Sequence, residues 1–233
     1  MIEFLQNSWL ALLLTALVSY LLGSISFAII VTKAFTKQDI RDFGSGNAGA
    51  TNVLRSQGKL PALLTTLGDL GKSMLSVFAG GWLLSNIQLN PSATVEQAQL
   101  LMYDPRNLGL IGSYLAGFFC IIGHMYPVFF KFRGGKGVMT TLGMMLLLDW
   151  RVALLLLGLF AIIVLCTRMV SLGSIVAALG LPLTTWLFRT YVYHQEWPTV
   201  WFCTAVVSAI AVIVVFKHRS NIVRIIKGTE NKI

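Results

Sequence analysis

The residues able to do chemistry gather in three polar clusters of an otherwise apolar chain: 39–59 (DIRDFGSGNAGATNVLRSQGK), 131–137 (KFRGGKG) and 217–232 (KHRSNIVRIIKGTENK). In the first, Gly44, Gly46 and Gly49 let backbone N–H groups converge on an anion. Ser45, Asn47, Thr51 and Asn52 add neutral donors, and Arg55 adds a planar fork suited to phosphate. In the second, Gly134, Gly135, Lys136 and Gly137 stand just before an apolar run that starts at Val138. Free N–H groups at a helix start there, with the Lys136 ammonium, would cradle a phosphate. The third holds His218, Arg219, Asn221, Arg224 and Glu230. Among the three histidines, His218 is best placed to act, because it lies among charges at the end of an apolar run. Each cluster also has a plain structural reading, as a glycine-rich loop, a basic loop and a basic amphipathic tail resting on headgroups. Two glycine loops with basic residues in one chain favour the anion site.

Two familiar patterns do not survive their context. Residues 44–49 read GSGNAG, a literal GxGxxG, but no strand precedes them and no βαβ unit fits between two apolar spans. Gly71, Lys72 and Ser73 mimic the end of a phosphate-binding P-loop, yet Thr66 occupies the place of its first glycine. Neither a dinucleotide nor ATP is expected. Cys120, Cys166 and Cys203 lie in apolar runs without CxxC spacing, and no HExxH or cysteine–histidine spacing occurs, so no metal and no cofactor are expected.

The elements that must position these clusters are membrane helices. The chain has 233 residues, of which 56% are hydrophobic and 12% charged, where soluble domains carry roughly 25% charge. Its mean hydropathy is +0.75. Apolar stretches at 8–31, 60–85, 108–130, 170–188 and 199–216 are each about long enough to cross a hydrocarbon core. Two shorter runs, 138–148 and 152–167, flank Asp149, Trp150 and Arg151. Counting both gives seven spans with the N-terminus outside and the C-terminus cytoplasmic, in a single domain over 1–233. That path puts Lys33, Lys37, Arg41, Arg55, Lys59, Lys131, Arg133, Lys136, Arg168, Lys217, Arg219, Arg224, Lys227 and Lys232 inside. Only Arg106, Arg151 and Arg189 fall outside. The net charge of +9 is then topological, and nucleic acid is not expected as a partner. The fold class is all-α, because open sheets cannot expose their edges to lipid.

Some details follow from this path. The run at 138–148 is too short to cross alone, so it should extend back through the glycines, tilt, or sit where the bilayer is thinned. The segment 86–107 is expected to carry a short helix. The start, MIEFLQNSW, has no basic n-region and is not read as a cleavable signal. In the tail, Ile222, Ile225 and Ile226 are expected to face inward. Asp69 and Lys72, spaced i,i+3 inside a span, are expected to face the bundle interior as a supporting pair. His124 lies near the end of its own span.

Taken together, 39–58, 123–140 (GHMYPVFFKFRGGKGVMT) and 218–231 resemble the three motifs of the bacterial acyl-phosphate:glycerol-3-phosphate acyltransferases, the PlsY family. The similarity runs over nearly the whole chain and includes RMVSLGS at 168–174, with Ser171, and the Asp69 and Lys72 pair. None of His124, His194 and His218 has an aspartate five positions on, so the His-x4-Asp arrangement of acyl-CoA-dependent glycerolipid acyltransferases is absent. The chain departs from the family at Ser26, often proline, and at Ser73, often glycine.

The resemblance implies a seven-helix enzyme of the bacterial inner membrane, active on the cytoplasmic side and surrounded by membrane lipids. It implies acyl transfer from acyl-phosphate to the sn-1 hydroxyl of glycerol 3-phosphate, and leaves room for a soluble enzyme that makes the acyl-phosphate. Ser45, Arg55, Lys136, His218 and Asn221 are then the expected catalytic set. Gly134, Gly135 and Gly137 form the expected phosphate loop, and Glu230 is expected to be structural. The proton acceptor stays open between His218 and a phosphate oxygen. The competing reading is a small transporter or flippase for a phosphate ester, using the same basic clusters as a vestibule.

Overall fold

The computed structural model describes residues 2–86 and 105–232, and side chains from Trp9 to Asn86 and from Leu108 to Lys232. Its helices are α1 (Ile2–Gly23), α2 (Phe27–Thr36), α3 (Ala50–Gln57), α4 (Lys59–Ser85), α5 (Pro105–Met125), α6 (Val138–Leu148), α7 (Trp150–Thr167), α8 (Val170–Leu187), α9 (Trp197–Lys217) and α10 (Arg219–Ile226). Among the described residues there is no strand, in keeping with the all-α expectation. The short helix expected within 86–107 falls on residues outside the described set.

Among the described residues, 5 segments can cross a membrane by length and composition: Trp9–Thr36, Leu108–Phe130, Trp150–Thr167, Val170–Val192 and Trp197–Lys217. Their outward faces are apolar. Leu155, Ile162, Leu165 and Val212 are all exposed, Leu165 by 81%, which is the surface of a helix bathed in hydrocarbon rather than water. The inward faces meet around Tyr114, Met144, Met145, Val152, Val207 and Ile210.

α5 is the central post, packed along α4 and α1. Small residues permit these contacts: a Cβ on Gly112 would strike the Gly80 backbone, and one on Gly23 the Cys120 carbonyl. α6 is 11 residues long and does not run back through the glycines, the first of the three ways the sequence left for so short a run. Gly137 stops it, with a φ of 85° that an ordinary residue resists. The short helix is instead packed on α4, α5 and α7, and Ser73 Oγ donates to its Thr140 carbonyl at 2.6 Å.

α10 is turned differently from expectation. Ile226 is 79% exposed, and Asn221 is the buried residue of the helix. Asn221 and Arg224 are spaced i,i+3, so the inward stripe is polar and faces the cleft described next.

Candidate active site

The three clusters converge on one cleft of about 800 Å³ including its mouth. Its walls are the start of α3 with the loop before it, the start of α6, the start of α8, the α9–α10 junction and the C-terminal tail. Asp69 and His124 lie at its inner end.

The first wall depends on Asn52, which is 3% exposed. Its side-chain amide donates to the carbonyls of Ile40, Phe43 and Asn47 at 3.2, 2.9 and 3.1 Å, and its Oδ1 accepts from the Ser45 N–H at 3.0 Å. Asn52 thus borders the cleft with its hydrogen-bonding capacity spent on the loop. The loop closes through Gly44 and Gly46, both with positive φ, and neither borders the cleft. Arg41 holds the loop to its neighbour: it pairs with Asp39 at 2.8 Å and donates to the Phe130 carbonyl at 2.8 Å. The Arg41 hydrogen bond holds the Asp39 carboxyl below its usual range. In α3 the first bonds to the Gly49 carbonyl come from Asn52 and Val53. Ala50 and Thr51, which border the cleft, therefore have helix-start amides without partners inside the helix. Ser45 and Arg55 border the cleft as exposed side chains, and Arg55 also reaches the Asn231 carbonyl at 3.3 Å.

The second wall differs in detail from the sequence reading. Gly134 and Gly135 donate their N–H groups to the carbonyls of Met125 and His124, at 3.3 and 3.1 Å. Those amides are spent on folding the loop against α5, and neither glycine borders the cleft. The open amides lie one step later. Gly137, Val138 and Met139 border the cleft, and the first backbone N–H to reach the Gly137 carbonyl is that of Thr141. Lys136 extends between them and the third cluster, where it donates to Asn221 Oδ1.

The third wall is organised by Glu230. Its Oε1 accepts from Ser171 Oγ and from the Asn221 amide, each at 2.6 Å, and its Oε2 pairs with Arg224 at 2.8 Å. Asn221 is thereby held amide toward Glu230 and oxygen toward Lys136. His218 is 2% exposed, with Nδ1 2.8 Å from the Val214 carbonyl. Nδ1 therefore donates, and Nε2 keeps its lone pair. Arg219 stands outside the cleft, stacked on Phe216 at 4.8 Å.

Electrostatics follow from this crowding. Burial, together with Arg224, Arg55 and Lys217, brings the Lys136 ammonium down to about 8, against the pull of Glu230. Burial, with a further push from Lys136, brings His218 down to about 4, so it is a neutral ring at neutral pH. Glu230 is held low against its own burial by its bonds to Ser171, Asn221 and Arg224.

Several cleft residues were not singled out in the sequence. Ser174 lines the cleft one turn from Ser171, and the i,i+3 spacing in the RMVSLGS run was the available hint. Met139 and Asn231 lay inside the family-like stretches 123–140 and 218–231, and Phe160 had no hint. An apolar groove of about 630 Å³ adjoins the cleft, lined deeper in by Met145, Leu156, Ala178, Leu181 and Ile210. Val138, Met139, Phe160 and Ser174 border both spaces.

A family model described as glycerol-3-phosphate acyltransferase matches residues 13–228. The chain belongs to the glycerol-3-phosphate acyltransferase family. A family member from Jannaschia sp. (strain CCS1) is 40% identical over 233 residues, spanning 100% of this chain and 98% of its own length. Another, from Carboxydothermus hydrogenoformans, is 36% identical over 225 residues, spanning 95% and 96% of the two chains. Among solved structures, the crystal structure of PlsY (YgiH), an integral membrane glycerol 3-phosphate acyltransferase, matches in its glycerol 3-phosphate form. The TM-score is 0.75 at 30% identity, with 95% of each chain covered. Its lysophosphatidic acid form matches with a TM-score of 0.72 at 30% identity, covering 95% of this chain and 94% of that one. The motif resemblance thus holds as family membership.

Proposed function

We propose that this chain is a membrane enzyme that transfers a fatty acyl group from acyl-phosphate to the sn-1 hydroxyl of glycerol 3-phosphate, giving lysophosphatidic acid and phosphate. The observation that carries the reading is the junction of a cation-rich cleft with an apolar groove, across Val138, Met139, Phe160 and Ser174. A reaction joining a phosphorylated polyol to a fatty chain needs that pair of environments side by side.

The topology that suits this chemistry has seven spans: α1 with α2, then α4, α5, α6, α7, α8 and α9. The N-terminus lies outside, and the cleft opens to the cytoplasm from the bacterial inner membrane. The whole of 1–233 acts as one domain.

An acyl-phosphate is already an activated mixed anhydride, so no covalent enzyme intermediate is needed. The glycerol oxygen attacks the acyl carbonyl carbon, the new ester C–O bond forms, and the anhydride C–O bond breaks with phosphate leaving. Lys136 and the first amides of α6 hold the acyl-phosphate head, with the acyl chain in the groove. Arg55, His218 and Asn221 hold glycerol 3-phosphate, and the hydroxyl of Ser45 donates to the carbonyl or phosphate oxygen. Approximation and charge neutralisation in a partly desolvated cleft supply the rate. With a pKa of about 4, His218 is a weak base at neutral pH. Its free Nε2 orients the glycerol hydroxyl, and the leaving phosphate carries the proton away.

The test is direct. Purified protein receives glycerol 3-phosphate with either acyl-phosphate or acyl-CoA, without added metal, and lysophosphatidic acid is sought by mass spectrometry. Product from acyl-phosphate alone, absent in folded Lys136→Ala, is the expected result. A folded wild-type preparation that makes none overturns the proposal and directs attention to phosphate-ester flux in liposomes.

A further inference from the structure

The mechanism above leaves unused the most deeply buried charges of the cleft region. Asp69 and Lys72 lie about one turn apart on α4 and are 1% and 5% exposed, and His124 near the end of α5 is 5% exposed. The Lys72 ammonium is 2.8 Å from Asp69 Oδ1, 2.7 Å from the Ile25 carbonyl oxygen and 3.1 Å from His124 Nδ1. An ammonium has only donors, so His124 accepts at Nδ1 and is assigned its proton on Nε2. Ile25 lies in the break between α1 and α2. One ammonium therefore ties that break to α4 and α5.

The other edge of the imidazole meets the second glycine loop at the point where that loop touches the first. A Cβ built on Gly135 would collide with His124 Nε2 and with the Ala48 carbonyl oxygen. The Gly135 N–H is also held by the His124 carbonyl at 3.1 Å. Ala48 is fully buried, and its neighbours Asn47 and Gly49 border the cleft. Gly135 in turn precedes Lys136 and Gly137, which border it from the opposite wall. The ring thus backs Gly135 at the place where the two loops touch.

We propose that the Asp69–Lys72–His124 triad is a positioning device that sets the separation between the start of α3 and the start of α6, and with it the distance between the two substrate phosphates. The proposal rests on the acyl-transfer reading above. A buried ion pair is a poor source of net stability, because the loss of hydration offsets most of the attraction. What directional bonds contribute, and an aliphatic pair of equal volume does not, is register. The triad holds the α1–α2 break, α4, α5 and the Gly135 loop in one arrangement, and its residues act through Gly135, where that loop meets Ala48, rather than on substrate.

His124→Gln tests this, because the longer amide retains bulk toward Gly135 while losing the ring's fixed geometry. The variant is expected to keep its fold and to lose about 100-fold in kcat, the scale of an ångström of misplacement, with KM for each substrate within threefold of wild type. The form of the pH profile is expected to stay unchanged. A tenfold rise in one KM at preserved kcat, or the loss of a limb of the pH profile, makes His124 a substrate contact and overturns the proposal. Unchanged kinetics overturn it too. If His124→Gln does not fold, the uncharged pair Asp69→Asn with Lys72→Met carries the same expectation. Hydrogen exchange without substrate separates this idea from the reaction it rests on. In either variant, exchange is expected to rise at the amides of 134–138 and 48–51 and to stay unchanged in α8 and α9, even if the wild type proves to catalyse something else. A uniform rise across the helices leaves the triad a general stabiliser and ends the proposal.

Discussion

Two polar clusters sit toward opposite ends of the helix bundle, and only one has the makings of a site. The helices that begin or end at the cleft with Gly137, Val170 and Lys217 lead away from it to Asp149, Arg189 and Trp197. At that far end Arg189 is 4% exposed, donates to Tyr114 and Gln195 at 3.1 and 3.0 Å, and stacks on Tyr114 and Tyr193. Asp149 starts α7 and accepts from Tyr193 at 2.9 Å. These charges are answered mainly by rings and hydroxyls of their own neighbourhood. In the cleft, Arg55, Lys136 and Arg224 face Glu230 and the more deeply set Asp69, and helix-start amides add further positive potential. Buried polarity alone does not mark a site; an excess of one sign, aimed at open space, does.

The sharpest test of this contrast pairs one residue from each end. Lys136→Ala is expected to lower kcat/KM by more than about 1,000-fold with an unchanged melting temperature. Arg189→Met is expected to cost about 1–3 kcal/mol of stability while the folded fraction turns over at the wild-type rate. Reversed outcomes would exchange the roles assigned to the two ends. Within the cleft, Ser45→Ala and Arg55→Ala are expected to lose about 100-fold or more in kcat/KM, read in the same assay.

Asn52→Ala sits between these extremes. Leaving the bonded groups at Ile40, Phe43, Asn47 and Ser45 without a partner is expected to cost about 2–4 kcal/mol and to lower activity through loop disorder. Glycerol 3-phosphate at saturating concentration should restore part of that stability, measured as a rise in melting temperature.

A smaller effect comes from pH. Lys136 in the free protein loses its proton near pH 8, so kcat/KM is expected to fall as pH rises through that value. Lys136→Arg stays charged, and the alkaline limb of its profile should vanish even if its rate is low. The smallest change is expected from Ala178→Leu in the groove, which should disfavour long acyl donors relative to short ones by about tenfold without altering the pH profile.

Much of this was legible in the chain. Apolar run lengths gave the long helices, but the run at 8–31, read as one span, is broken at 24–26 between α1 and α2. The three clusters gave most of the cleft walls, because glycine, serine, asparagine and basic residues do not occur together in an apolar chain without cause. Which amides are open was not legible: Gly134 and Gly135 look as suitable as Gly137 until the loop is seen folded on Met125 and His124. The orientation of α10 was also hidden, since its stripe of isoleucines matches the period of a membrane-surface helix as well as the polar stripe of Asn221 and Arg224 does.

The sequence by itself determined a helical membrane chain with three anion-seeking clusters and a family resemblance, because hydropathy and local donor density are properties of segments. Only the tertiary structure decided that Asn52 serves the loop, that Glu230 orients Asn221, that His124 packs against Gly135 where the two glycine loops meet, and that an apolar groove opens into the cleft. Those are contacts between residues tens to more than a hundred positions apart in several cases, such as Ser171 with Glu230 and Arg55 with Asn231. They exist only once helix packing has chosen which side of each segment faces its neighbours.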